Sequence, residues 1–417
     1  MNILNIQLPK NHFHTLLHLA QEGNNVYSNW HGSTSYENAC GIYTLTPEDN
    51  TYIKGKPEDV IGYIEKFIDY YNIDILQVAD PTKAYLHTHF ANKMKYIGPS
   101  EKAAKLECDK MFAKATAIKV GCKTPKILRT GKYSDDDYGK NLNFPAIEKP
   151  SHVWSPAVNL FNESDAERAR EKVDMSLWPP HGDANEEYFI EEYLDDMVET
   201  NVFFIIANGK YTITHTQEII GENLNKVIDQ TVWYFGSYIK PLKPEVDKKV
   251  RKEAEKYLEY IAQFGGNYEG SFCGAYTSKG DWHFLEINVR PDVFNSTPTF
   301  MTGEDYIKGM FEDISLFEKA WEGKTCDKLL ITNINQDEEY PFSLHEKYNV
   351  SIPNNLEIKD NKFYVSNYGV DEGQGCGTIV ADYNIPEEFV KEIEKTTSWR
   401  FNQDPIFGPF QVENSNG

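Results

Sequence analysis

The chain has 417 residues, 40% of them hydrophobic and 13% aromatic. That is enough for two or three domains with buried cores and too apolar for a disordered polymer. Against 42 basic residues stand 64 acidic ones, a formal net charge of −22, which argues against general nucleic-acid binding and against anionic membranes as partners. No apolar run approaches the roughly 18 residues of a membrane span. Met1-Asn2-Ile3-Leu4-Asn5-Ile6 carries no charged-then-apolar leader. The six cysteines are scattered without a C-x-x-C pair, the pattern of reduced thiols in a cytoplasmic protein.

Residues 2–7 read as a short strand and 11–21 as a helix with Leu16, Leu17 and Ala20 on its apolar side. Residues 57–71 predict a stronger helix. Val60, Ile61, Ile64, Phe67 and Ile68 recur at helical spacing behind Pro57, and Glu58 and Asp59 occupy the first turn. The run 73–79 reads as a buried strand ending at Asp80-Pro81. Such alternation implies a parallel sheet with crossover helices. Gly98-Pro99-Ser100 then punctuates before a helix of about 20 residues containing Ala103, Leu106, Met111 and Ala115. Beyond it the pattern turns strand-rich, at 126–129, 144–149, 188–193, 202–207, 211–217 and 231–239, with Asn208-Gly209 as a hairpin signal. A charged helix over 244–264 precedes a second hairpin, 270–277 with 282–289, turned by Ser278-Lys279-Gly280-Asp281. The C-terminal part carries short strands and a helix near 386–396.

The most informative segment is Phe284-Leu285-Glu286-Ile287-Asn288-Val289-Arg290. On a strand, Glu286, Asn288 and Arg290 share one face and Leu285, Ile287 and Val289 the other. A carboxylate and a carboxamide suit magnesium, which takes a few protein oxygens and completes its shell with phosphate and water. A guanidinium beside them suits a phosphoryl group in transfer. Taken alone, the segment reads equally as an amphipathic edge strand. Lys149 closes an apolar strand before a loop, and Lys110 sits in the helix after Pro99; each alone reads as a solvated lysine, and near phosphates each would act as a point charge. Glu191-Glu192-Tyr193-Leu194 ends an aromatic, β-branched strand, with Glu199 expected in the following turn. His12, His14 and His18 read as pocket or surface histidines, since no third ligand supports a metal site, and His87-Thr88-His89 reads as a loop or helix feature.

In order and spacing these segments resemble the ATP-grasp superfamily, and within it the glycinamide ribonucleotide synthetases (phosphoribosylamine–glycine ligases). Residues 97–114 resemble the family's G-P-T…A-A…L-E-x-S-K-x-F-x-K helix, and 145–149 its P-x-V-I-K strand. Residues 189–194 with Glu199 resemble I-E-E-F-L-x-G-x-E. Tyr268-Glu269-Gly270 with 284–290 resembles T-G…V-I-E-F-N-x-R, and 368–381 with the helix after Pro386 resembles the C-terminal piece.

The resemblance implies a multi-domain α/β and α+β protein. Its parts would be an N-terminal Rossmann-like (pre-ATP-grasp) domain over 1–99, an ATP-grasp domain over 100–325 with a lid at about 125–200, and a small C-terminal α+β domain over 326–417. It implies an ADP-forming carboxylate–amine ligase with ATP and Mg2+ (or Mn2+) as cofactors. Lys110 and Lys149 would contact the phosphates; Glu191 or Glu192, with Tyr193 and Leu194, would hold the adenine, and Glu199 the ribose. Glu286 and Asn288 would carry the metal. Arg290 would stabilise phosphoryl transfer beside Lys149, and would face the substrate together with His14. An acyl phosphate is hydrolysable, so a closing lid is expected, at 151–162.

The departures fall mostly on substrate-binding segments. The family's lid, roughly A-D-G-x-A-x-G-K-G, is here Pro150-Ser151-His152-Val153-Trp154-Ser155-Pro156-Ala157-Val158, in which Ser151, His152 and Ser155 are the polar groups available. Its G-x-G-G-R-E-H signature is replaced by Gln7-Leu8-Pro9-Lys10-Asn11-His12-Phe13-His14, where only His14 matches, and its N-T-G-G-M-G stretch by residues 223–235. The reading is therefore a divergent, cytoplasmic ligase, a monomer or homodimer, that joins an amino acid such as glycine to a small amine such as a sugar-phosphate or nucleotide derivative. Two other readings share these residues: a ligase acting on a modified nucleobase or macromolecule, and a nucleotide-binding homologue without turnover.

Overall fold

Near the N-terminus, short apolar strands pair in parallel. The strands β1 (Asn2–Ile6), β2 (Asn25–Ser28), β3 (Ile42–Thr44), β4 (Ile75–Val78) and β5 (Lys95–Pro99) lie in the order β3-β2-β1-β4-β5. The order reverses between β1 and β4, the switch point beyond which ligands bind in doubly wound sheets. Asp80 stands just past β4 there, buried, its carboxylate accepting from the Thr82 N–H. The computed structural model describes residues 1–6, 16, 19–20, 22–28, 42–45, 53, 55–151, 157–167, 187–194, 197–220, 236–291, 301–324, 327–333, 366–367, 375–381, 388 and 392. Helix α1 (Pro57–Tyr71) runs over the expected residues and ends at Asn72, whose left-handed φ of 50° turns its N–H back to the Ile68 carbonyl. It buries Val60, Ile64 and Phe67 beside Leu4, Leu76 and Val78, contributing about 1.5–3 kcal/mol per side chain. A short helix, α2 (Tyr85–Phe90), follows β4.

The helix expected after Pro99 is two helices, α3 (Glu101–Cys108) and α4 (Lys110–Lys119). Asp109 breaks it: its backbone is extended and its carboxylate accepts from the Phe112 N–H, capping α4. Sequence periodicity cannot see this break, because the apolar positions continue through it. The Lys110 N–H is released to donate to the Ser151 carbonyl at 2.8 Å, which seats α4 against the next sheet.

That sheet is small and antiparallel: β6 (Ile127–Lys132), β7 (Ala146–Pro150), β8 (Val158–Leu160) and β9 (Glu187–Glu192), in the order β6-β9-β7-β8. The larger antiparallel array opens with β10 (Met197–Ala207) and β11 (Lys210–Ile220), joined through Asn208-Gly209 with φ of 53° and 73°, as the hairpin signal requires. Glu199, expected in a turn, lies inside β10 opposite Ala275, because the strand starts five residues earlier than its β-branched core suggests. Next come β12 (Gly236–Pro241), α5 (Pro244–Ile261), β13 (Gly266–Thr277), β14 (Trp282–Asn288), α6 (Gly303–Phe311), α7 (Ser315–Trp321), β15 (Asp327–Asn333), β16 (Ser366–Asn367) and β17 (Gly375–Ala381).

The path β16-β17-β15-β12-β11-β10-β13 continues into β5 and the parallel strands, and β14 pairs with β13. The joint between β13 and β5 depends on Gly266, whose φ is 94°; a Cβ there would lie 2.6 Å from the Gly98 carbonyl oxygen. One face of the array packs on α5 through Val250, Ala254, Tyr257, Leu258 and Ile261; the other packs on α6 and α7 through Ile205 and Ala207. No helix among the described residues is long and apolar enough to cross a membrane. His14, His152, Ser155, residues 223–235 and most of 386–396 lie outside the described residues; Glu388 and Glu392 are helical.

Candidate active site

The hairpin β13–β14 does not alternate strictly. Its register shifts at Cys273/Gly274, so Cys273 faces Glu286 and Gly274 faces Phe284, leaving Leu285 as the extra residue of a bulge. Phe284, Ile287 and Val289 enter the core, and Leu285 is half-buried outside it. This corrects the expected grouping of Leu285 with Ile287 and Val289. Glu286, Asn288 and Arg290 do project together, away from the core.

Around them the fold gathers the two expected lysines and several further charged groups. Lys110 Nζ stands 3.9 Å from Glu286 Oε2. Lys149, at the end of β7, pairs with Glu191 of β9 at 2.9 Å, and Lys114 pairs with the other oxygen of the same carboxylate. Lys110 and Lys114 reach this point together because they are four residues apart on α4. Arg290 Nε donates to Glu107 Oε1 at 2.7 Å, and the Val289 N–H donates to Glu107 Oε2 at 2.8 Å, so a buried α3 carboxylate fixes the guanidinium. The amide of Asn288 donates to Ser271 Oγ at 3.3 Å, which turns its Oδ1 towards Arg290.

The Glu191 side chain is fully buried between two ammonium groups, and its carboxylate pairs with both. Glu192 is tied to the backbone of Lys126 by two bonds of 2.9 Å, and Tyr193 and Leu194 follow half-buried past the end of β9. Lys110, Lys149, Glu286, Asn288 and Arg290 thus form one linked cluster of polar groups. Glu199 lies on β10, and His14 lies outside the described residues. Lys114 and Glu107 fall on lettered positions of the motif that residues 97–114 resemble, but the resemblance gave them no role; what marks them in the structure is that they are charged and almost fully buried.

Burial and charge sort the protonation states. Burial pulls Lys110 below the ordinary lysine value against the opposing field of Glu286. At Lys149 burial acts the same way, but Glu191 and then Glu286 outweigh it and hold the ammonium above that value. Burial would raise Glu286, yet Lys110, Lys149 and Arg290 keep it below the usual carboxylate range, so it is ionised as a metal ligand must be. Burial raises Glu107 despite Arg290.

Lys114 is pulled down to about 8, chiefly by burial and with the help of the neighbouring Lys149 ammonium, against the opposing field of Glu191. The unfolded chain keeps that proton up to the ordinary 10.5, so between about 8 and 10.5 the unfolded state binds more protons and folding gains as pH rises. The stability advantage of the wild type over Lys114→Met should therefore grow across that window in urea titrations. A pH-independent difference would show that Lys114 keeps an ordinary proton affinity.

Two observations test the fit to a nucleotide phosphate and a divalent ion. The Ser151 hydroxyl, just past the end of β7, is buried without a hydrogen-bond partner, a state that a phosphate oxygen would relieve. Glu286 and Asn288 present an ionised carboxylate and an oriented carboxamide oxygen, hard donors of the magnesium class. Both fit.

No family model matches the sequence. The structure is similar to a biotin carboxylase from Campylobacter jejuni, at a TM-score of 0.65 and 14% identity over 94% of this chain and 89% of that one. It is similar to an L-amino acid ligase from Bacillus licheniformis, at 0.64 and 14% over 94% and 97%. It is also similar to a phosphoribosylamine–glycine ligase from Thermotoga maritima, at 0.60 and 13% over 97% and 98%. The likeness establishes the fold, which is the ATP-grasp fold.

Proposed function

We propose that this ATP-grasp chain is an ADP-forming carboxylate–amine ligase that joins an amino acid to a small amine. The observation that carries the reading is the convergence of Lys110, Lys149, Glu286, Asn288 and Arg290 in one cluster. Lys110 and Lys149 hold the phosphate tail of the substrate ATP, one from α4 and one from the small sheet. Glu286 and Asn288 hold a divalent cation, Mg2+ or Mn2+ on these oxygen donors alone, which would neutralise phosphate charge when bound. Arg290, fixed by Glu107, faces the transferring phosphoryl group.

In the reaction a carboxylate oxygen attacks the γ-phosphorus and ADP leaves with the broken P–O electron pair. The amine nitrogen then attacks the acyl carbon, phosphate leaves, and the nitrogen loses a proton. The cations act where negative charge develops, a form of catalysis worth most in a site that excludes water. We further propose that Tyr193, Leu194 and the backbone beside Glu192 take the base and Glu199 the ribose. His14 would meet the substrate, in a cytoplasmic enzyme divided near residues 99 and 325.

Phosphate release, followed across amino acids paired with amines, tests the reading. Release that needs both an acid and an amine supports it. Tight ATP binding without ADP formation across the whole panel would replace it with a nucleotide-binding role.

A further inference from the structure

On the sheet face that carries Glu286, neighbouring strands bring three side chains into one row. Asn201 of β10 lies opposite Cys273 of β13, and Cys273 lies opposite Glu286 of β14. Directly opposed residues of antiparallel strands point to the same face, their Cβ atoms about 5 Å apart. The register sets the short cysteine between the longer Asn201 and Glu286, each of which ends in an oxygen. The Cys273 thiol donates to the Glu286 carboxylate and is in no disulfide.

Asn201 supplies an independent observation. Its side chain is fully buried, and neither Oδ1 nor Nδ2 has a hydrogen-bond partner. A buried carboxamide left this way is costly unless a ligand engages it. Among the described residues no three His, Cys, Asp or Glu side chains cluster, so any donor set here mixes sulfur with carboxylate and carboxamide oxygen.

We propose that Cys273 and Asn201 complete the cation site begun by Glu286 and Asn288, and that the sulfur makes it prefer a thiophilic divalent ion, such as Zn2+ or Cd2+, over Mg2+. Sulfur is a soft donor that selects zinc-class ions, whereas an all-oxygen set suits magnesium or manganese. Cation binding replaces the thiol proton, which leaves to solvent, with a metal–sulfur bond. The inference rests on the cluster being the cation site of the reading above.

Cadmium, titrated into the full chain with a non-hydrolysable ATP analogue, tests it. The readouts are the ultraviolet sulfur-to-cadmium charge-transfer band and the affinity by calorimetry. The wild type should show the band and bind Cd2+ at least about tenfold more tightly than Mg2+. Cys273→Ser should lose the band and at least about tenfold in Cd2+ affinity. Asn201→Ala should weaken Cd2+ binding but keep the band. Cys273→Asp, which exchanges sulfur for oxygen, should shift the preference to Mg2+, and the circular dichroism of each variant reports whether it folds. An unchanged band in Cys273→Ser, or equal affinities for the two ions in the wild type, overturns the proposal. A chain that releases no ADP with any amine yet keeps the sulfur-dependent preference would sink only the ligase reading. Turnover without that preference would sink only this inference.

Discussion

Arg290→Met is expected to lower kcat for ADP formation by about 10²–10³-fold, equivalent to roughly 2.7–4 kcal/mol of lost transition-state stabilisation. The expectation comes from how the guanidinium is held. Glu107 accepts from Arg290 Nε and from the Val289 N–H with its two oxygens, so the cation is fixed before any substrate arrives and little reorganisation remains at the moment of transfer. A group placed for charge that develops only in the transition state should lower kcat and kcat/KM together while leaving the affinity for an ATP analogue nearly unchanged. Glu107→Gln should act in the same direction but more weakly, about tenfold. It never meets the substrate, and its effect should again fall on kcat rather than KM, the mark of a positioning residue. Turnover of Arg290→Met within about threefold of the wild type would remove Arg290 from the reaction.

The reach of the sequence can be judged residue by residue. The α1 helix was legible to its ends because periodicity, an N-terminal proline and first-turn acids all agreed. The alternation of Glu286, Asn288 and Arg290 was legible because strand period is local. The break at Asp109 was not, since a side-chain oxygen capturing one backbone N–H leaves no periodic trace. The Leu285 bulge was hidden for a similar reason: it accompanies the packing of Trp282 over Gly274 on the partner strand, where a Cβ would lie 2.2 Å from the indole nitrogen. Pairings such as Lys114 with Glu191 and Arg290 with Glu107 join residues 77 and 183 positions apart. They exist only once α3 and α4 meet two different sheets. The row from Asn201 through Cys273 to Glu286 is likewise a property of strand register, which no single segment encodes.

Glu191→Leu is expected to destabilise the fold by about 3–5 kcal/mol, because it leaves two buried ammonium groups without their shared carboxylate. Lys114 and Lys149 are almost fully buried and Glu191 is completely so; water cannot take over the lost role without opening the contact between α4 and the small sheet. Removing one of the stranded charges should therefore restore stability. The double variant Glu191→Leu/Lys114→Met should be more stable than Glu191→Leu alone, a non-additivity of at least about 1 kcal/mol in a double-mutant cycle read from urea midpoints. Lys149 would then remain buried close to Glu286, and both lysines proposed to hold the phosphate tail, Lys110 and Lys149, would be kept. ATP-analogue binding should consequently recover in the double variant along with stability. If Glu191→Leu unfolds at the wild-type urea concentration, the three groups are not a desolvated unit. In that case charge does not hold α4 to the small sheet, and the bond from the Lys110 N–H to the Ser151 carbonyl is left as the tie between them.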